Sequence, residues 1–275
     1  MRRRPFEILL AVAAGLVLAF LLLPILALFL RIAPGELLSQ LTSTVAVDAL
    51  IVSLKTSAIA HAVVLLVGTP AAYLLATRRF RGRSLMLTLV ELPLVLPPAV
   101  AGIALFAAFG RAGLLGDTLY AAGISIPFTQ TAVVFAVVFV SSPFYVRLAV
   151  SAFEAVDPRL IEASRTLGAG PRRTFFRVAL PLAGGGLSAA SALAFARGLG
   201  EFGATIMFAG SLQGVTQTLP LAIYAQLDLN FDVALALGAF LVVVSVAVLL
   251  TVKLLPSWTR FTLISLAPSA RFDSS

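Results

Sequence analysis

Six apolar runs of 20 to 27 residues divide this 275-residue chain, at residues 8–30, 56–76, 85–109, 131–150, 183–209 and 233–255. A helix rises about 1.5 Å per residue, so roughly 20 apolar residues cover the hydrocarbon thickness of a bilayer. Each run is long enough to cross once. The chain therefore reads as an all-α integral membrane protein with one six-helix transmembrane domain over residues 1–275. Composition agrees, with 60% hydrophobic residues and only 12% charged, where a soluble domain carries roughly 25% charged. There is no cysteine and a single histidine, which excludes disulfides, thiolate metal sites and histidine clusters. The first run follows the basic start MRRRPFE and is 23 residues long. Cleaved signal peptides have apolar cores of roughly 7–15 residues, so this is read as an uncleaved first span.

Charge asymmetry then orients the chain, because short cytoplasmic segments are enriched in Lys and Arg. With the N-terminus inside, 16 of the 20 basic residues fall on the cytoplasmic side. They are Arg2–Arg4, Arg78, Arg79, Arg81 and Arg83, the six arginines from Arg147 to Arg177, and Lys253, Arg260 and Arg271. Arg31, Lys55 and Arg111 fall outside, and Arg197 lies within the fifth run. Both termini are expected in the cytoplasm, with residues 151–182 as a cytoplasmic loop. The net charge of +8 reflects this sidedness, not a nucleic-acid partner.

Several runs contain helix breakers. Pro93, Pro97 and Pro98 interrupt the third, Ser141-Ser142-Pro143 the fourth, and Gly184–Gly186, Gly198, Gly200 and Gly203 the fifth. Proline removes a backbone donor and disfavours helix in the residue before it. Irregular backbone at membrane depth survives only where protein or a water-filled cavity satisfies it. Pro97, Pro98 and Gly203 are therefore candidates for a translocation path or its gate. Close helix packing through small residues is the other reading of the glycines.

Arg197 and Glu201 are four residues apart and are expected to share one helix face. A lone charge at a span centre costs about 2.5–3.5 kcal/mol, which pairing would offset. Both a path or gate and a structural ion pair fit this spacing. Glu201 would repel an anion, which suits a gate or packing role better than a ligand role. Lys55 and His61, six residues apart, face different ways at about 100° per residue. Lys55 is read as snorkelling toward the outer surface, and His61 as a hydrogen-bonded interior residue.

One long polar stretch remains, DPRLIEASRTLGAGPRRTFFRVALP at 157–181. Asp157 followed by Pro158 is a strong helix start. Leu160, Ile161, Ala163, Ser164 and Leu167 come next with helical spacing, while Arg159, Glu162 and Arg165 point elsewhere. Gly168 can take the positive φ of a C-terminal cap, and Gly170-Pro171 turns the chain into a second short helix. That helix sets Arg172, Arg173 and Arg177 alongside Phe175, Phe176 and Val178. An interfacial amphipathic hairpin and a dock for a soluble partner are both consistent with this pattern.

Glu162-Ala163, Gly168 and Leu180-Pro181 resemble the EAA signature of ABC importer permeases, EAA-x3-G ending in LP. Ser164 stands where the motif has its second alanine. LPLVLPP at 92–98, FARGLGEFGATIMFAG at 195–210 and TQTLPLAIY at 216–224 are similar to molybdate transporter permeases, with sulfate and tungstate permeases as close relatives. Glu91 departs from the apolar residue expected just before LPLVLPP. The resemblance implies a type I ABC importer permease fold in a bacterial or archaeal cytoplasmic membrane. It implies a coupling helix docked in an ATPase subunit through Arg159, Glu162, Ala163, Ser164, Leu167, Gly168, Ala169 and Pro171. It also implies a second permease copy, as a homodimer, and an extracytoplasmic oxyanion-binding protein. No cofactor is expected in this chain, since ATP and Mg would be held by the ATPase.

No GxxxxGK[ST] motif is present, and neither Lys55 nor Lys253 comes after a glycine-rich loop. ATP chemistry must come from another subunit. Two other classes compete with an ABC permease. A secondary transporter would place carboxylates near the midplane and show internal repeats, and only Glu201 is deep. A membrane scaffold would need no broken spans.

Overall fold

A computed structural model describes residues 3–31 and 33–265, with side chains described for 6–31, 33 and 35–251. Arg2 and Arg271, and the side chains of Arg3, Arg4, Lys253 and Arg260, lie outside the described residues. Every regular element among the described residues is helical. Four helices contain a single uninterrupted stretch long and apolar enough to cross a membrane, and two bent helix pairs bring the number to six. The uninterrupted stretches are Phe6–Leu30, Thr44–Thr77, Gln130–Glu154 and Phe231–Thr251.

The first belongs to α1 (Arg3–Leu30). Its most apolar window buries nothing, and it touches the rest of the chain through the last described helix, with Leu28 beside Gly238. A short α2 (Pro34–Leu41) leads to α3 (Thr44–Thr77), capped by the Ser43 side chain on the Ala46 N–H. At 34 residues α3 is about 51 Å long. It therefore starts twelve residues before the 56–76 run, because Thr44–Lys55 has a buried small-residue face of its own at Ala46, Ala49, Val52 and Ser53.

The third run is broken as the prolines suggest. α4 (Arg83–Val95) and α5 (Pro98–Phe109) meet at 114°. Leu96 and Pro97, each preceding a proline, adopt extended backbone with ψ of 132° and 135°, the geometry that the next ring favours. Pro93 stays inside α4. A short α6 (Gly116–Ala121) comes next.

The fourth run departs from expectation. α7 (Gln130–Glu154) passes through Ser141-Ser142-Pro143 without a break. Tertiary packing overrides the ring here: Ser141 and Pro143 are both buried, and the Ser141 hydroxyl donates to the Val137 carbonyl at 2.6 Å.

A surface hairpin then runs through α8 (Pro158–Thr166), α9 (Pro171–Thr174), a π turn (Phe175–Ala179) and α10 (Leu180–Leu182). Beyond it the fifth run is split into α11 (Gly184–Leu199) and α12 (Gly203–Ala209). The interruption that the glycines of the 183–209 run suggest falls at Gly200, Glu201 and Phe202, which are not helical. Gly198, Gly200 and Gly203 lower the cost of leaving the helix, and a side-chain cap at Glu201 restarts it. The bent spanning pair instead joins Pro171–Leu182 to Gly184–Leu199 at 74°. α13 (Leu219–Gln226) and α14 (Phe231–Ser265) complete the described helices.

α7 is the pillar around which the others pack. Its C-terminal half contributes Tyr145, Val146, Ala149 and Phe153 to a core shared with Val64, Leu75, Ile161 and Leu187. Its N-terminal half contributes Ala132, Val133, Ala136 and Val140 to a second core with Ala101, Leu105, Ala204 and Phe208. A third cluster joins Ala46 and Ala49 of α3 to Leu219, Val233 and Leu237.

Small residues mark the crossings. A Cβ on Gly68 would stand 2.8 Å from Tyr145 Cδ1, one on Gly186 2.6 Å from Ala152 Cβ, and one on Gly198 2.9 Å from Val137 Cγ1. Interhelical hydrogen bonds reinforce them. The Thr69 hydroxyl and Tyr145 OH are 2.6 Å apart, and His61 Nε2 and Ser191 Oγ 2.8 Å. His61 is thus a hydrogen-bonded, half-buried link between α3 and α11.

The α3–α7 seam gives a first prediction. Gly68→Val has no room beside the Tyr145 ring, which is 2% exposed and fixed at its hydroxyl by Thr69. A stability loss of about 1–3 kcal/mol is expected, read as a lowered thermal midpoint in detergent. An unchanged midpoint would contradict the packing described.

Candidate functional site: a surface hairpin and paired helix breaks

The hairpin is built by its caps. The Asp157 carboxylate accepts the Arg159 N–H at 2.9 Å, which starts α8. Gly168 closes it with φ of +82°. The Gly168 N–H donates to the Arg165 carbonyl at 2.9 Å and the Ala169 N–H to the Ser164 carbonyl at 3.0 Å. This pair of bonds is a Schellman cap, and it sets α8 at a fixed angle to α9.

Ser164 then acts across the turn. Its hydroxyl lies 3.0 Å from the Thr174 hydroxyl, and Thr174 is fully buried. Ile161 is buried in the α7 core. Phe175 packs on Tyr73 at 4.8 Å and on Phe153 at 6.3 Å between ring centroids. These contacts seat the hairpin on the ends of α3 and α7.

The expected small apolar face does not turn inward as a unit. Ile161 is buried and Ser164 half-buried, whereas Leu160, Ala163 and Leu167 stay exposed, Leu167 at 87%. One buried anchor suffices on a nine-residue helix, and the remaining apolar groups are presented outward. Arg159, Glu162, Arg165, Gly168 and Pro171 are exposed as well, with Ala169 half-buried.

A crevice of about 480 Å³ lies beneath α8, lined by Arg79, Arg83, Glu154, Glu162 and Arg165 among others. Arg83 pairs with Glu154 at 2.5 Å and donates through Nε to the Leu75 carbonyl at 2.6 Å. It thereby fastens the start of α4 to the ends of α3 and α7. Glu91, out of place in the sequence pattern, faces Arg147 at 3.4 Å.

The second constellation lies where the two broken runs meet. A Cβ on Gly203 would stand 2.6 Å from Pro98 Cβ, and one on Gly102 2.7 Å from the Ala204 carbonyl oxygen. α5 and α12 therefore pack backbone to backbone, with the Leu96–Pro97 break beside the Gly200–Phe202 break. Glu201 is 2% exposed. Its Oε1 accepts the Ala204 N–H at 2.8 Å, and its Oε2 faces Arg197 Nη1 at 3.0 Å.

The pair exists, but not on one helix as expected: α11 ends at Leu199. Contact survives because Gly200 keeps a near-helical backbone at φ −87° and ψ 13°. Arg197 has 32% of its side chain exposed, and its guanidinium sits 5.9 Å over the Phe144 ring. Pro97, Pro98, Arg197, Glu201 and Gly203 are thus brought to one locality, while Lys55 is exposed elsewhere on α3. No local sequence pattern distinguishes Thr174 or Phe144, because each matters through a partner on another element.

The arrangement of a capped hairpin at one surface and two broken runs within has the fold of type I ABC importer permeases. Solved chains agree on that fold. A chain of a bacterial ABC transporter involved in the import of the acidic polysaccharide alginate superposes with a TM-score of 0.72 at 16% identity, covering 91% of this chain and 95% of its own. One from the MetNI methionine ABC transporter reaches 0.58 at 21% identity, covering 75% and 92%.

Residues 65–260 match the binding-protein-dependent transport system inner membrane component family, and the chain belongs to it. It is 46% identical to the molybdenum transport system permease protein ModB of Mycobacterium tuberculosis, over 87% of this chain and 90% of that protein. It is 40% identical to ModB of Escherichia coli K12, over 77% and 92%. A probable molybdenum ABC transporter permease protein of Haloferax volcanii is 41% identical, over 84% and 86%.

The hairpin gives the second prediction. Ser164→Ala removes the partner of a buried hydroxyl, which then has only the Ala169 carbonyl at 3.5 Å. A loss of about 1 kcal/mol is expected locally, seen as faster tryptic cleavage after Arg165, Arg172 and Arg173. Cleavage at the wild-type rate would show that the Ser164–Thr174 contact does not hold the hairpin.

Proposed function

We propose that the chain is the membrane-spanning permease subunit of an ATP-driven importer for a tetrahedral oxyanion, molybdate. The observation that carries the coupling role is the capped hairpin, a rigid element with outward-facing Leu160, Ala163, Leu167 and Gly168. A partner cleft would receive those groups. The molybdate assignment is supported by likeness along most of the chain to permeases named for molybdenum transport.

In this reading the hairpin and both termini face the cytoplasm, as the distribution of basic residues suggests. Arg159, Glu162, Ala163, Ser164, Leu167, Gly168, Ala169 and Pro171 form the contact with an ATPase subunit, which holds ATP and Mg. An extracytoplasmic binding protein delivers the oxyanion at the opposite surface. A second copy of the chain completes the path, as a homodimer. Pro97, Pro98, Arg197, Glu201 and Gly203 belong to the path or its gate. Partly exposed Arg197 faces the path, and the glycine–proline contact at Gly203 sets how closely α5 and α12 approach. Sulfate and tungstate share the charge and shape of molybdate, and the binding protein makes the choice among them.

Co-purification with an ATPase subunit and vanadate-sensitive molybdate uptake into proteoliposomes test this function. Uptake that persists without ATP or the ATPase would instead establish an ion-driven transporter.

A third prediction isolates the hairpin. Gly168→Val has open space around it, so its effect within the chain is backbone strain at φ +82°. That strain is of order 1–2 kcal/mol and reorients the turn. ATP-driven uptake and co-purification are expected to fall together while the membrane-embedded fold is retained. Normal coupling in that variant would remove the hairpin from the coupling role.

A further inference from the structure

We infer that Glu201 is a built-in substitute for the transported oxyanion: in the resting permease it occupies the Arg197 guanidinium, and a passing dianion takes that guanidinium over. The inference rests on the reading of Arg197 as facing the translocation path, and it specifies what that residue does there.

Glu201 is fixed and Arg197 is accessible. The carboxylate is 2% exposed, with Oε1 committed to the Ala204 N–H at 2.8 Å and Oε2 to Arg197 Nη1 at 3.0 Å. It caps α12, so it cannot follow a moving ion. Arg197 has a 32% exposed side chain, with the carboxylate in ion-pair contact at Nη1, and it carries five N–H donors. The Phe144 ring lies under one face of the guanidinium, 5.9 Å away.

The chemistry of the two competitors is matched. A carboxylate and a tetrahedral oxyanion each offer paired oxygens to a guanidinium. They differ in charge and mobility. At rest Glu201 neutralises Arg197, so the site offers no net positive charge to small monoanions. A molybdate dianion brings twice the charge and its own four oxygens, and it draws the partly exposed guanidinium toward itself while Glu201 keeps its bond to the Ala204 N–H. In a two-copy assembly two Arg197 side chains would match the two charges of one dianion. After the ion leaves, Glu201 is still held by the α12 amide beside Arg197 and re-forms the pair. No covalent bond changes and no net proton transfer is required.

Glu201→Gln tests this without removing the cap, because the amide oxygen can still accept the Ala204 N–H. In the assembled complex in proteoliposomes loaded with molybdate, ATP-independent efflux is expected to rise at least about tenfold over wild type, a rate change equivalent to about 1.4 kcal/mol. Adding Arg197→Gln to the same variant is expected to return efflux to the wild-type level, which a merely loosened helix break would not do. Efflux unchanged in Glu201→Gln, or a leak retained in the double variant, overturns the inference. Failure of Glu201→Gln to assemble on gel filtration also overturns it, because the pair would then be a structural staple. Wild-type complex that shows no ATP-driven uptake overturns the parent reading, whereas normal wild-type uptake beside an unaltered Glu201→Gln leak overturns this inference alone.

Discussion

Backbone amides at membrane depth must find partners inside the protein, and the two adjoining breaks meet this demand by different chemistry. At the first break the chain places Pro97 and Pro98, which have no N–H to orphan, and α5 restarts with the Ala101 N–H on the Pro97 carbonyl at 3.1 Å. At the second there is no proline, and α12 needs an acceptor at its start. Glu201 supplies it to the Ala204 N–H. A buried carboxylate is costly unless paired, which accounts for Arg197 beside it. The deep charge pair thus arises from how the second break is capped, and its placement next to Pro98 arises from Gly203.

The same economy of small residues organises the rest. α7 has two cores along its length, one on each side of Pro143, and it accommodates α3 and α11 through Gly68, Gly186 and Gly198. Lipid offers no hydrophobic drive for helices to associate, so close backbone approach and a few interhelical hydrogen bonds carry the packing. That is why Thr69–Tyr145 and His61–Ser191 occur along these seams. It is also why a proline inside α7 is tolerated, whereas tandem prolines between α4 and α5 are not: one missing donor can be absorbed by neighbouring helices.

Hydropathy made the membrane-spanning runs legible, and local cap chemistry did the same for the hairpin. Asp157-Pro158 and Gly168 act through residues within a few positions of themselves, and their bonds are found where the caps require them. Features that depend on long-range packing escaped the sequence. Residues 200–202 leave the helix where α12 docks on α5; the sequence offered Gly198, Gly200 and Gly203 as breakers but did not show at which of them the helix would end. Ser164 reads as a small residue in an EAA-like motif, yet its hydroxyl serves Thr174 across a turn ten residues later. Helical spacing alone did not show which face of α8 points outward, since it reveals which residues share a face but not which face has a partner; only the resemblance to the EAA signature implied it.

The two parts of the site are joined by one element. α10 of the hairpin bends into α11, whose 16 residues span about 24 Å and end at the break that holds Glu201. No proline interrupts α11, and its bulky buried residues Leu187 and Leu199 stand near its two ends. Glycines mark its two ends instead, Gly184–Gly186 in its first turn, Gly198 in its last, and Gly200 and Gly203 beyond it at the break. A rod with yielding ends transmits displacement and does not absorb it in the middle. On the proposed reading, movement of a docked hairpin reaches Arg197 and Glu201 through α11 itself. The α5–α12 contact at Gly203 then converts that movement into a change in the separation of the two breaks.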